Sequence, residues 1–398
     1  MAMMIKEGLY YVGVLNPNLR VFDIVMNTEY GTSYNSYVIK DEKIALIETC
    51  HKSFFEEYLG KISKVTPLDK IDYIVLNHTE PDHSGALKEL VKLAPKAKIV
   101  CSKAASIYLK GISNKELDII TVKDGDTILL GKNTMKFVNA PFLHWPDSMF
   151  TYVEGLETVF TCDFLGTHYC EPRIFDKAIT YPEKYKKAMK EYYDAIFSPF
   201  KPYVLAGIKK LEELNFDTVC VSHGPILSKG ALYEYVKQNY LKWSEARIKE
   251  KKSIPVFYCS AYGYTKMLAE EAYRTIRETM PDCNTGMYDI REGELCEAIA
   301  LMNSSDGFML GSPTINKDTV PLVWELLAHL DAINNQKKPV GIFGSYGWSG
   351  EAVPAIAARL SAIRLNVIGE GYKAVFCPDS KALEGMSEYT KQFIAAIK

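Results

Sequence analysis

One hexapeptide of this sequence concentrates side chains that bind metal ions. It reads His78-Thr79-Glu80-Pro81-Asp82-His83 and holds two of the seven histidines of the chain. Residues two apart in extended backbone point the same way, so His78 and Glu80 can reach one ion. Pro81 bends the chain, which lets Asp82 and His83 reach a second ion close by. Because four potential ligands in six residues hardly fit around one tetrahedral ion, the string predicts a site for two metal ions.

Three further candidate ligands, His144, Asp163 and His223, each follow an apolar or β-rich run in the first half of the chain. Loops at one edge of a sheet commonly build such a site. The seven residues divide into one group for each ion and a bridge, which are His78, Glu80 and His144, then Asp82, His83 and His223, with Asp163 between them. Two histidines and a carboxylate with open positions favour non-haem ferrous iron. A pair of zinc ions is the alternative.

Three loops in the second half combine small, hydroxyl-bearing and aromatic residues. They are Ser260-Ala261-Tyr262-Gly263-Tyr264-Thr265, Pro313-Thr314-Ile315-Asn316 and Ser345-Tyr346-Gly347-Trp348-Ser349-Gly350. The first precedes a predicted helix, where hydroxyl and backbone N–H groups bind an anion. It contains no lysine and no G-x-x-x-x-G-K-[ST] motif, so a phosphomonoester fits better than a nucleoside triphosphate. Tyr346 or Trp348 can stack on an isoalloxazine ring.

The elements that must position these residues differ between the two halves. In the first half, short predicted strands such as 71–76 and 158–162 mix irregularly with helices, which is typical of α+β layers. From residue 254 strands alternate with helices, as in a doubly wound parallel sheet. A charged string at 247–252, at the end of a predicted helix at 230–251, marks the change. We therefore expect two domains, residues 1–250 and 251–398.

Composition excludes several classes of protein. A formal net charge of -2 argues against nucleic-acid binding, which needs a basic surface. The sequence has no apolar run long enough to span a bilayer and no secretory signal, so we expect a cytoplasmic protein. No two of its nine cysteines form a C-x-x-C pair, which argues against a zinc ribbon, a ferredoxin-type cluster or an internal rubredoxin module. Cys162 and Cys170, on either side of Asp163, are interpreted as packing residues.

The string and its partners His144, Asp163 and His223 resemble the metallo-β-lactamase-like domain of the flavodiiron proteins. Glu80 stands where the hydrolases of that fold usually carry a second histidine. The three loops of the second half are similar to the phosphate-binding and ring-binding loops of flavodoxin, so the resemblance covers essentially the whole chain. It implies an N-terminal metallo-β-lactamase-like αβ/βα sandwich with two iron ions, followed by a flavodoxin-like doubly wound parallel sheet that binds FMN rather than FAD.

The resemblance also implies a reaction. FMN and a ferrous pair together hold four electrons, which matches the reduction of dioxygen to two waters. Reduction of nitric oxide to nitrous oxide is the alternative. A zinc-dependent hydrolase and a non-catalytic flavin electron shuttle are more remote alternatives. Tyr192 and Tyr193 lie where the family has a pocket tyrosine, and either could face the site. His168 is expected to line the pocket rather than to bind metal.

Partners follow from the same resemblance. A head-to-tail homodimer, or a dimer of such dimers, would bring the FMN of one subunit beside the irons of the other. The chain is expected to take electrons from an external donor because it carries no rubredoxin or flavin-reductase module. Rubredoxin is the expected donor, with a reduced deazaflavin as the alternative.

Overall fold

A computed structural model describes residues 2–245 and 250–397. The chain divides into two compact units, residues 1–246 and 247–398. The helix predicted at 230–251 is shorter, Tyr233–Ser244, and residues 247–249 of the predicted charged string lie outside the described residues. Within the described ranges, no helix combines the length and the apolar character needed to cross a membrane.

The first unit is built on two large β-sheets. In chain order its strands are β1 (Met3–Lys6), β2 (Leu9–Tyr11), β3 (Val14–Asn16), β4 (Val21–Phe22), β5 (Met26–Asn27), β6 (Thr32–Tyr34), β7 (Tyr37–Lys40), β8 (Ile44–Ile47), β9 (Ile71–Leu76), β10 (Lys98–Ser102), β11 (Ile119–Val122), β12 (Thr127–Leu129), β13 (Thr134–Asn139), β14 (Met149–Val153), β15 (Thr158–Cys162), β16 (Thr218–Val221) and β17 (Leu227–Ser228). One sheet has the order β1-β2-β7-β8-β9-β10-β11 and the other runs from β12 to β17 in sequence order. Two short hairpins, β3 with β6 and β4 with β5, lie outside both sheets.

Helices cover the outer faces of the two sheets. They are α1 (Phe55–Ile62), α3 (Leu87–Leu93), α4 (Lys103–Ser113), α5 (Pro182–Tyr192), α6 (Lys201–Glu212) and α7 (Tyr233–Ser244), while the four-residue α2 (Pro81–Ser84) lies between β9 and α3. Successive side chains of a strand point to opposite faces, so Phe137 of β13 enters the apolar layer between the sheets while Val138 packs under α5, α6 and α7. A third apolar layer joins α1, α3 and α4 to the first sheet. The predicted αβ/βα sandwich is confirmed.

The second unit is a parallel sheet with helices on both faces. Its strands are β18 (Val256–Tyr258), β19 (Met287–Asp289), β20 (Phe308–Gly311), β21 (Pro339–Tyr346), β22 (Asn366–Val367) and β23 (Tyr372–Val375). Its helices are α8 (Tyr264–Thr279), α9 (Leu295–Ser304), α10 (Pro321–Ala328), α11 (Ala352–Ala362) and α12 (Ser380–Ala395). The order β19-β18-β20-β21-β22, with every pair parallel, is the flavodoxin order. The predicted doubly wound sheet is confirmed.

Helix α10 ends earlier than its sequence pattern predicts. The pattern extends over 320–333, but the helix stops at Ala328. The Asp331 carboxylate accepts hydrogen bonds from the backbone N–H groups of Ile333 and Asn334, both at 3.0 Å. A side chain that satisfies these donors locally competes with helix continuation. The apolar spacing alone did not reveal this turn.

Candidate metal centre and flavin site

The seven predicted ligands lie where strands of the first unit end. His78 follows β9 at the second position, and Glu80 immediately precedes α2, which carries Asp82 and His83. The other three follow β13, β15 and β16, in the order His144, Asp163 and His223. Proline at the first position of α2 starts this short helix. It thereby turns Asp82 and His83 away from the direction of His78.

The first group of side chains surrounds one oxygen of Asp163. His78 Nε2 lies 3.2 Å from Glu80 Oε2 and 3.7 Å from Asp163 Oδ2. His144 Nε2 lies 3.1 Å from Glu80 Oε2 and 3.4 Å from Asp163 Oδ2. Two imidazoles and two carboxylates therefore direct ligand atoms at one small space.

The second group surrounds the other oxygen of the same carboxylate. His83 Nε2 lies 3.2 Å from Asp82 Oδ2 and 3.0 Å from Asp163 Oδ1. His223 Nε2 lies 3.0 Å from Asp82 Oδ2 and 3.3 Å from Asp163 Oδ1. Asp163 thus offers one oxygen to each group. The structure brings all seven predicted residues together in the division that the sequence analysis proposed.

The chemistry of these side chains fits two divalent cations. Both oxygens of Asp82, both oxygens of Asp163 and Nε2 of His83 are buried without a hydrogen-bond partner among the described residues. Leaving such groups unsatisfied costs about 1–3 kcal/mol each, and more for charged ones. Two cations would satisfy all of them. Two imidazoles and one carboxylate for each ion, with a shared carboxylate, suit iron with open positions for a substrate.

Electrostatics support the same conclusion. Burial alone would raise the pKa of Asp163, but the imidazoles of His83, His144 and His223 hold it well below its usual value. Asp163 is therefore an anion in the interior. Cys162 lies beside His83 and Asp163, and burial raises the pKa of its thiol well above the usual value. A protonated thiol is a poor metal ligand, which agrees with the interpretation of Cys162 as a packing residue.

The ligand string is held from outside by groups that the sequence analysis missed. Asp147 Oδ1 lies 3.0 Å from His78 Nδ1, and Asp147 Oδ2 accepts hydrogen bonds from Thr79 N at 2.8 Å and Thr79 Oγ1 at 2.6 Å. Glu48 Oε1 accepts a hydrogen bond from Asn77 N at 3.0 Å. Thr49 N donates to the carbonyl oxygen of His83 at 2.9 Å. Both ends and the middle of the string are thus fixed.

Glu48 gives the metal-free protein a pH dependence. Burial raises the pKa of its carboxyl from the ordinary 4.5 to about 7. The folded state therefore binds this proton more tightly than the unfolded state does, and the free energy of unfolding falls as pH rises from 4.5 to about 7, by about 3 kcal/mol in total. We expect Glu48→Gln to flatten this part of the pH profile in urea unfolding of metal-free protein. An unchanged slope would show that Glu48 is ionised throughout.

The side chains of Tyr192 and Tyr193 point to different parts of the first unit. Tyr192, the last residue of α5, donates a hydrogen bond to the carbonyl oxygen of Asp163 at 3.3 Å, and its ring centroid lies 4.8 Å from that of His168. The Tyr193 hydroxyl lies 2.7 Å from Ser244 Oγ, beside α7. The inclusion of Tyr193 among the site candidates is therefore corrected, because its hydroxyl contacts Ser244 of α7 and only Tyr192 faces the ligands.

His168 lies against the second group of ligands. Its Nδ1 is 2.8 Å from Thr32 Oγ1, and its ring centroid is 4.9 Å from that of His223. Burial and the nearby His223 imidazole lower the pKa of His168 well below its usual value, so the ring is neutral. The β4–β5 hairpin also brings Asp23 beside Glu80, and partial burial and the Glu80 carboxylate raise the pKa of Asp23 to about 6. No spacing in the sequence identified Asp23.

The three predicted flavin loops follow parallel strands of the second unit and contact one another. Thr265 Oγ1 lies 2.7 Å from Ser345 Oγ, and Thr314 N donates to the carbonyl oxygen of Ser345 at 3.1 Å. The first loop leads into the 16-residue helix α8, whose N-cap residue Gly263 has φ +88°. The free N–H groups of a helix N-terminus and the hydroxyls around them suit a phosphate.

Aromatic side chains stand exposed at the same loops. Tyr262 is 85% exposed and Trp348 80% exposed, whereas Tyr346 is only partly exposed. Phe376, which the sequence analysis missed, follows β23 and is 58% exposed. Its N–H donates to the carbonyl oxygen of Tyr346 at 2.8 Å. Exposed aromatic rings beside an anion site match the apolar ring and the phosphate of FMN.

Comparisons with known proteins agree with both sites. A family model described as "ODP family beta lactamase" matches residues 32–224, and a flavodoxin model matches residues 256–388. The chain is 49% identical to a flavo-diiron protein of Clostridium acetobutylicum over the full length of both. It is 34% identical to a type A flavoprotein of Rhodobacter capsulatus, over 96% of this chain and 88% of that one.

Solved structures give the same result. The flavodiiron protein of Giardia intestinalis is 29% identical with a TM-score of 0.67, and the rubredoxin oxygen:oxidoreductase of Desulfovibrio gigas is 27% identical with a TM-score of 0.69. Each match covers 100% of this chain and 98% of the other. The chain is thus an oxidoreductase whose cofactors are FMN and a di-iron site, and it belongs to the flavodiiron protein family.

Proposed function

We propose that this chain reduces dioxygen to water at the di-iron site, using electrons that an external donor delivers through FMN. The proposed iron ligands are His78, Glu80, Asp82, His83, His144, Asp163 and His223. The proposed FMN contacts come from the loops 260–265, 313–316 and 345–350. When bound, the iron pair supplies redox chemistry at the diatomic substrate, and FMN supplies electrons one or two at a time.

The observation that carries the proposal is the division of the ligands around Asp163. Each half has two imidazoles and one carboxylate of its own, together with one Asp163 oxygen. This set leaves positions open for a small substrate and favours iron. A hydrolytic zinc pair would leave the flavin-like loops of the second unit without a role.

Residues of the chain have separate proposed tasks around the irons. Tyr192 carries the one hydroxyl of the tyrosine pair that faces the ligands; it donates to the backbone carbonyl oxygen of Asp163 at 3.3 Å and would have to leave that acceptor to donate to a bound diatomic. The neutral, buried ring of His168 packs 4.4 Å from the ring of Phe22, centroid to centroid. Together these rings exclude water from one side of the site, which strengthens the electrostatic interactions inside it.

Nitric oxide reduction is the second candidate. A relative from Vibrio vulnificus, 33% identical over 98% of this chain, bears the name anaerobic nitric oxide reductase flavorubredoxin. The four electrons that FMN and the iron pair would hold together are enough for either gas. Reduction of dioxygen to two waters takes four electrons, and reduction of two nitric oxide molecules to nitrous oxide and water takes two. Dioxygen remains first because the solved relative from Desulfovibrio gigas is named as an oxygen oxidoreductase.

The proposed donor is rubredoxin, which the name of the same Desulfovibrio gigas protein includes. A reduced deazaflavin is the alternative. We further propose a head-to-tail homodimer, alone or paired into a tetramer, because electron transfer requires FMN and the irons to be close. Sedimentation of the full-length chain gives its subunit number directly.

The test is to measure consumption of each gas separately. Anaerobically reduced protein, loaded with iron and FMN, receives reduced rubredoxin, and electrodes record dioxygen or nitric oxide. We expect faster dioxygen turnover without accumulation of peroxide. Faster nitric oxide turnover would reverse the order of the two candidates. If protein with full iron and FMN consumes neither gas, the proposal is wrong.

A further inference from the structure

His78 of the first group and His223 of the second differ in what lies behind their imidazole rings. His78 Nδ1 lies 3.0 Å from a carboxylate oxygen of Asp147. His223 Nδ1 lies 2.6 Å from the backbone carbonyl oxygen of Ser33. Both oxygens accept a hydrogen bond from the ring N–H that faces away from the metal space, but only the carboxylate carries a full negative charge.

Burial strengthens the effect of the Asp147 charge on His78. His78 and Asp147 are both fully buried, with 0% exposure, so water does not screen the charge between them. The second oxygen of Asp147 accepts two hydrogen bonds from Thr79, and Ser102 Oγ donates to the backbone carbonyl of Asp147 at 2.8 Å. The carboxylate is therefore fixed in orientation and cannot turn away from His78.

The other buried carboxylate near the string has a different partner. Glu48 Oε1 accepts a hydrogen bond from the backbone N–H of Asn77 at 3.0 Å, and its carboxyl interacts electrostatically with the imidazoles of His83 and His78. Glu48 therefore braces the backbone before His78, whereas Asp147 contacts a ligand directly. Asp176 is therefore the matched control for the loss of a buried carboxylate, because its Oδ2 accepts hydrogen bonds from the backbone N–H groups of Ser228 and Leu232.

We propose that Asp147 makes the two metal positions unequal, as a positioning residue that holds His78 with Nε2 toward the metal. Through His78 its charge strengthens binding of the ion at His78, Glu80 and His144 and lowers the reduction potential of that ion. A carboxylate behind an imidazole increases the basicity of the ligand in this way. The inference rests on the proposed di-iron function and adds an order of affinity and reduction to it.

Iron release tests the inference without any measurement of activity. Full-length protein loaded with two irons is kept anaerobic and titrated with a chelator, and iron per chain is measured for wild type, Asp147→Asn and Asp176→Asn. We expect Asp147→Asn to lose one iron at about tenfold to hundredfold lower chelator concentration, with the second iron released as in wild type. Asp176→Asn should release both as wild type does.

Two further measurements locate the remaining iron and determine the reduction potentials of the two irons. Anomalous diffraction from half-depleted Asp147→Asn crystals should show the remaining iron at Asp82, His83 and His223. An electrochemical titration followed by EPR should show an upward shift of one iron potential only. Loss of both irons together, or equal effects of the two variants, would overturn the inference.

A milder substitution keeps the inference testable if Asp147→Asn does not fold. Thr79→Val removes one hydrogen bond to Asp147 Oδ2 and keeps the charge. It should move the release of one iron in the same direction by a smaller factor, and no movement would count against the inference. Failure of the proposed function is distinguishable, because protein that releases its irons in two steps but consumes neither gas would contradict only that function.

Discussion

Asp163→Asn should abolish catalytic dioxygen consumption and leave less than one iron per folded chain. Asp163 is the only one of the seven ligands that offers an oxygen to both groups, at 3.0 Å from His83 Nε2 and 3.4 Å from His144 Nε2. An amide has one acceptor oxygen and no charge, so neither ion keeps its full ligand set. Loss of metal removes several kcal/mol of stabilisation from the reaction, which corresponds to a rate at least about a thousandfold lower.

Asp176→Asn is the matched control for this substitution. Asp176 is also a buried aspartate of the first unit, but its Oδ2 accepts hydrogen bonds from Ser228 N at 2.8 Å and Leu232 N at 3.1 Å. We expect that variant to be less stable and to keep two irons. Circular dichroism and iron analysis of both proteins separate the cases. Two irons per chain in Asp163→Asn would contradict the bridging role.

The metal ligands could be predicted because much of their geometry is local. Four of them lie within six residues, and the other three lie one to five residues after the end of a strand. The groups behind the ligands could not be predicted. Asp147 is separated from His78 by 69 residues, and the contact exists only because β9 and the loop after β13 meet in the folded unit. A single sequence carries no periodic signal for such a pair.

For a different reason, the sequence could not predict which of Tyr192 and Tyr193 faces the metal ligands. Tyr192 ends α5, and a π-helical turn follows at Tyr193–Phe197. This turn changes the angular spacing of side chains after α5, so ordinary helical periodicity cannot assign the faces. Tyr193 packs on Tyr240 and Trp243, with ring centroids 5.0 and 4.9 Å away.

In the second unit, too, the regularly repeating elements could be predicted and the short irregular ones could not. The alternation of strands and helices from residue 254 predicted the parallel sheet, because that pattern repeats over the whole unit. The last part of the sheet was missed because β22 and β23 are short and pair with different parts of β21. Gly369 and Gly371, both with positive φ, separate them. Phe376 follows β23 and donates its N–H to the carbonyl oxygen of Tyr346 in the third flavin loop.

Ser260→Asp should remove FMN and leave the irons in place. Ser260 is buried at the loop before α8, and its Oγ accepts a hydrogen bond from Lys266 N at 3.3 Å. A carboxylate there would take the anion position at the helix N-terminus. Repulsion between it and a phosphate about 4 Å away is about 4 kcal/mol in partly buried surroundings, so the Kd for FMN should rise at least about a hundredfold. The helix itself tolerates an acidic residue at its N-terminus.

Ser260→Ala is the control, since it removes one hydroxyl without adding charge and should weaken FMN binding by at most about tenfold. FMN fluorescence gives both affinities, and iron analysis should give two irons per chain in each variant. Steady turnover with reduced rubredoxin should stop in Ser260→Asp. Chemically reduced Ser260→Asp should still consume dioxygen in a single turnover, because its metal ligands all lie in the first unit. Retention of FMN at the wild-type affinity would place the phosphate elsewhere and contradict the assignment of this loop.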